Sequence, residues 1–95
     1  MEAARMTSHK LSRHQLVMLR CSGFDHKDGN GFGVHLMTAS SWRTARSLVA
    51  RDLGWIQGGH PNGSDLPGLF FANHNGTAIT HPEQLAAFER RRGAL

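Results

Sequence analysis

The chain has 95 residues, enough for one domain around one modest core and too few for two. Its 39% apolar and 19% charged residues, with eleven glycines and three prolines, exclude a disordered or collagen-like chain. Eleven Lys and Arg against seven Asp and Glu leave a formal charge of +4, which favours an anionic partner without naming it.

Residues 1–10 carry no apolar period and read as a loose N-terminal arm. LSRHQLVMLRCSG then carries a helix start: Ser12 can cap the backbone, Gln15 can complete a capping box, and Leu11 and Leu16 sit at the staple positions. Leu16, Val17 and Leu19 are expected to face the core, Cys21 to close the last turn as a small buried thiol, and Gly23 to terminate the helix. GFDHKDGNGFGVHLMTAS is too rich in turn formers for a helix. Its end, GVHLM, alternates as a strand does, with Val34 and Leu36 on one side and His35 and Met37 on the other.

SSWRTARSLVARDLGW is the most strongly patterned stretch. At ~100° per residue Trp42, Ala45, Leu48, Val49 and Leu53 gather on one face. Arg43, Thr44, Ser47 and Arg51 gather on the opposite face, with Arg46 at its edge. Ser40 or Ser41 is the expected cap and Gly54 the expected terminator, while Asp52 places an anion against the helix dipole. WIQ resumes in extended form, GGHPNGSDLPG is a long polar loop, and LFFA is a second buried strand, together a β-hairpin. Asn75-Gly76 predicts a type I′ turn leading to a third strand, Thr77 to Ile79. THPEQLAAFERRR closes the chain as a helix with Thr80 as cap, Glu83 as its capping-box partner, Pro82 in the first turn, and Leu85 and Phe88 as core contacts.

TASSWRTARSLVARDLGWI, a loop and strand, and then AITHPEQLAAFE resemble the winged helix-turn-helix domains of bacterial and phage regulators. In those domains a pattern like "rTarsLvrrGLi", a hairpin wing, and "lTpeGraal" opening a helix follow in this order. The matching residues are Arg43, Thr44, Ala45, Leu48, Val49, Leu53 and Ile56, then Ile79, Thr80, Pro82 and Glu83. The resemblance implies an α+β fold, a small winged-helix-like domain of about three helices with a short antiparallel sheet and hairpin wing. It spans residues 11–92 as a single domain, leaving 93–95 as a C-terminal tail. One departure stands out: the family usually has a helix just before the recognition helix, and residues 23–37 are too rich in glycine to supply one.

The resemblance further implies that residues 42–53 lie in a major groove of double-stranded DNA, with the Arg43 end closest to the base edges. Arg43, Thr44, Arg46, Ser47 and Arg51 are then the nucleic-acid-binding residues. Arginine reads guanine through two parallel hydrogen bonds, and a hydroxyl binds a phosphate or a base edge. The expected function is that of a small non-enzymatic DNA-binding protein, a transcriptional regulator of a phage or mobile element, with a homodimer implied for an operator binder. The competing expectation is a phage-type protein-binding inhibitor or adaptor of the anti-CRISPR or anti-repressor class. It is supported by a wing, Gly58 to Gly68, that offers His60, Asn62, Ser64 and Asp65 but no Lys or Arg, and by the candidate exposed apolar residues Phe24 and Phe32. The bland alternative for the arginine face is a solvated surface balancing Asp52 and the glutamates.

Other chemistry is weakly signalled. Arg90, Arg91 and Arg92 suit a helix C-terminus, and Lys10, Arg13 and Arg20 suit a solvated face. Cys21 and His26, joined by His35 or His74, do not make the paired spacings of structural zinc, so no metal is expected. No carboxylate pair, phosphate loop or nucleophile arrangement stands out, and no cofactor or catalysis is expected. A lone cysteine suits a reducing, cytoplasmic setting. No apolar run reaches the ~18 residues of a membrane span, and MEAARMTSHK lacks the apolar segment of a secretory signal.

Overall fold

The first helix, α1 (Arg13–Ser22), starts where the capping box places it. The Gln15 amide donates to Ser12 Oγ at 3.2 Å, and the Ser12 amide donates to Gln15 Oε1 at 2.7 Å. It ends on Gly23, which takes a positive φ of 71° and whose N–H reaches the Leu19 and Arg20 carbonyls. Leu19 is fully buried as expected, but the rest of the stripe differs: Gln15, Met18 and Ser22 face inward with it, Leu16 is half-buried, and Val17 (46% exposed) and Cys21 face outward. The spacing is the ordinary helical one, but two of its four members are polar, so apolar periodicity alone sets the face one residue off.

The computed structural model describes residues 11–59 and 68–94. No helix forms between residues 23 and 33. Asp25 accepts the Lys27 amide, Asp28 accepts the Asn30 amide, and the Asp25 and Gly29 amides close the turn on Asn30 and Asp25 carbonyls. Strand β1 (Val34–Leu36) follows with Leu36 buried, and His35 and Met37 turned outward as its alternation requires.

Helix α2 (Ala39–Ala50) starts before either expected cap. Thr38 is the N-cap and Ser41 stands at the third helical position, each side chain accepting the other's amide at 3.0 Å. Ala45 and Leu48 are fully buried and Trp42 packs on the core, while Val49, expected inside, is 38% exposed. The terminator is not Gly54. Asp52 takes the left-handed conformation (φ 60°), its amide reaches Val49, and the Leu53 amide returns to Leu48, a Schellman end in which Leu48 and Leu53 meet in the core. Gly54 instead opens β2 (Gly54–Gln57) against the Phe70 ring, where a Cβ has no room.

β2 pairs antiparallel with β3 (Gly68–Ala72), placing Trp55 opposite Phe71 and Ile56 opposite Phe70. β1 adds antiparallel to the other edge of β3, so the order is β1-β3-β2. Phe70 and Ala72 enter the core with Met18, Leu19, Leu36, Ala45, Leu48 and Leu53.

Asn75-Gly76 makes no hairpin turn, and no strand runs from Thr77 to Ile79: these residues form helix α3 (His74–Thr80). Asn73 caps it by accepting the Gly76 amide at 3.0 Å, and Gly76 lies so close to Leu19, the Leu53 carbonyl and Ala72 that only glycine fits. Thr80 therefore ends α3 rather than capping helix α4 (Pro82–Ala94), and the Leu85 amide returns to His81. Leu85 and Phe88 are buried as expected, in a second small cluster with Phe24, which is buried and not exposed. The result is an α+β domain of four helices and a three-stranded antiparallel sheet among the described residues, consistent with a winged-helix-like architecture in which β2 and β3 form the hairpin. No helix among the described residues is long and apolar enough to cross a membrane.

Candidate nucleic-acid interface

α2 is fixed from behind. Its buried stripe packs on α1, β1 and β2, and Gln15 of α1 donates from Nε2 to Ser47 Oγ at 2.8 Å. Ser47 Oγ in turn donates to the Thr44 carbonyl at 2.6 Å, so Ser47 lies in the seam between the two helices and not on the outward face. Thr44 is half-buried and donates to the Ser40 carbonyl at 3.1 Å. Both hydroxyls thus have intrahelical acceptors, and a ligand would have to compete for them.

Of the five site residues expected from sequence, Arg43 and Arg46 are exposed, three residues apart and therefore adjacent on the helix surface. Arg51 is half-buried at the other end, where it forms the helix C-cap. The site is therefore narrower than the sequence implies, with its exposed cations at the middle of α2.

Arg46 is held. Its guanidinium carbon lies 5.3 Å from the centroid of the Trp42 ring, one turn back along the helix. Helical side chains lean toward the N-terminus, which carries the Arg46 charge to the level of Trp42. The indole sits on the root of the β2–β3 hairpin: a Cβ added to either Gly59 or Gly68 would strike it. Gly59 also has a positive φ of 60°, and Gly58 one of 72°. Sequence periodicity places Trp42 in the core and misses this second role. The available signal was the glycines that bracket the loop. Of the expected wing, residues 60–67, with His60, Asn62, Ser64 and Asp65, lie outside the described residues.

The sheet's outer face bears a second feature that sequence analysis did not single out. Trp55 and Phe71, directly opposite across β2 and β3, stack with ring centroids 5.1 Å apart and planes 7° from parallel. His35 and Met37 project from the same side of β1 and its end, with Met37 77% exposed, whereas the exposed Phe32 lies beside Gly23 at the end of α1.

The remaining chemical candidates are dispersed. His26 stands edge-on to Phe24, and His74 Nε2 lies 2.7 Å from the Asp28 carbonyl with its Nδ1 3.9 Å from Glu89. Cys21 is on the exposed side of α1, and no three His, Cys, Asp or Glu side chains gather to hold a metal among the described residues. Arg92 lies over Phe88 at 5.7 Å, at the end of α4. No protein-family model, curated protein or solved structure matches the chain.

Proposed function

We propose that the chain is a small, non-enzymatic, cytoplasmic protein that binds double-stranded DNA, with α2 as recognition helix, in the manner of a phage or mobile-element transcriptional regulator. The observation that supports it best is the pairing of Arg43 and Arg46 on the exposed side of a helix whose other sides are packed. Two guanidiniums on a rigid rod can meet a phosphate row and a base edge together. An operator-binding role carries with it a homodimer, whose two copies would read two half-sites.

Fluorescence anisotropy with a mixed-sequence duplex at low and high salt tests this. Binding should weaken steeply with salt, and Arg43→Ala combined with Arg46→Ala should lower affinity about 10- to 100-fold and flatten the salt slope by about one for each phosphate the arginines neutralise in the wild type. A folded wild-type protein that does not bind at low salt overturns the proposal.

A second reading is supported by the outer sheet face. Trp55 stacked on Phe71, with Met37 exposed at the end of the neighbouring strand, suits a protein partner of the inhibitor or adaptor class better than it suits DNA. Under that reading Trp55→Ala and Met37→Ala weaken the function while the two arginine substitutions leave it intact.

A further inference from the structure

Arg43 and Arg46 are equal in charge but not in freedom. Arg46 is placed over an indole that itself rests on two glycines of the hairpin root, whereas Arg43 has no partner among the described residues. A flexible arginine must lose its rotamer freedom on binding and serves well wherever a cation near a phosphate is enough. An arginine already held, with its planar fork directed by a ring beneath it, meets its acceptor at a fixed place and penalises a base that offers the wrong pattern. The glycines add to this. Because the ring touches both Gly59 and Gly68, the position of the Arg46 fork is tied to the root of the hairpin as well as to α2.

We propose that Trp42 is a positioning residue for Arg46, and that Arg46 reads base identity while Arg43 serves the phosphate backbone. This rests on the DNA-binding reading above and assigns separate tasks within its site.

The test is selection of duplexes from a random library, with anisotropy measured alongside on the full chain. Circular dichroism verifies the fold of each variant. Arg46→Lys keeps the charge and removes the planar fork; it should flatten the preference at one base position by about 5- to 50-fold. Trp42→Leu keeps an apolar side chain above the glycines and removes the ring; it should flatten the same position, and Trp42→Phe should recover most of it. Arg43→Lys should leave the selected sequence unchanged.

Trp42→Leu and Arg46→Lys should also fail to add when combined, since the second removes what the first disturbs. A merely structural role for Trp42 gives additive losses spread over all positions, and that result overturns the proposal. So does a folded Trp42→Leu that selects the wild-type sequence, or an Arg43→Lys that no longer selects it. Should Trp42→Leu not fold, Trp42→Phe and Arg46→Lys decide the matter: unchanged selection by Arg46→Lys overturns it. In each of these cases the wild type still binds DNA. A wild type that binds nothing and selects nothing overturns the DNA-binding reading itself, and this assignment with it.

Discussion

Asp52 is the residue whose surroundings convert an apparent mistake into a joint. An anion at a helix C-terminus opposes the dipole, yet Asn73 and Asn75 both donate from Nδ2 to its carbonyl, at 3.1 and 3.0 Å, and both approach its carboxylate, at 3.4 and 3.2 Å. Asp52→Ala leaves a Cβ-bearing residue at φ 60° without those carboxylate acceptors and should cost about 1–2 kcal/mol in urea denaturation, while Asp52→Gly, free of the backbone strain, should cost less. Ser22 makes a similar bridge inside the core. Its Oγ donates to the Phe32 carbonyl at 2.8 Å and accepts the Ala72 amide at 3.0 Å, joining α1 to the segment before β1 and to β3. Ser22→Ala should destabilise by about 1–3 kcal/mol, because both backbone groups lose a partner, and hydrogen exchange at Ala72 should accelerate. The contrast with Ser12 shows what sequence can carry at this scale. Ser12 and Gln15 are three residues apart and their pattern is local; the partners of Ser22 and Asp52 come from distant parts of the chain, and no spacing rule finds them.

Among the elements, α1, β1, α2 and the β2–β3 hairpin follow from periodicity and turn chemistry, because each has a strong local pattern and an amphipathic face. α3 does not. Asn75-Gly76 has the composition of a tight hairpin turn, but Asn73 caps a helix there, and Gly76 is small because Leu53 and Ala72 crowd it, not because the turn requires positive φ. Likewise the cap of α2 was hidden because Ser41, not the more familiar Glu or Gln, completes the box with Thr38. The joint between α2 and the hairpin gives a test at this scale. Gly68→Ala drives a methyl group into the Trp42 ring and should cost about 1–3 kcal/mol. Trp42→Leu in the same chain should recover part of that stability, and chemical denaturation of the two single variants and the double variant measures it. The candidate site shows the same limit: the arginines were visible in their spacing, whereas the occupation of Ser47 by Gln15 and the Trp42 seat depend on tertiary packing.

In the whole molecule two apolar clusters share the work. The larger joins α1, α2 and the sheet; the smaller holds α4 through Phe24, Leu85 and Phe88, reinforced by the edge-on approach of Phe24 and Phe88. A helix held by so few side chains should open first. Phe88→Ala is expected to let the α4 amides exchange freely while those of β2 and β3 stay protected, which native-state hydrogen exchange resolves residue by residue. The α+β class was visible in the alternation of patterns, but the division into two clusters was not, since Phe24 sits in a turn-rich stretch with no period to reveal its burial. The strand order β1-β3-β2 also has a kinetic side. β3 meets β2 across one loop, but it meets β1 only after the chain has laid down α2 and the hairpin, so Val34 has to find Phe70 across a much longer closed loop. The hairpin should therefore assemble early and β1 dock late. A Val34→Ala substitution should then speed unfolding more than it slows refolding, with the two arms of a chevron plot separating the effects.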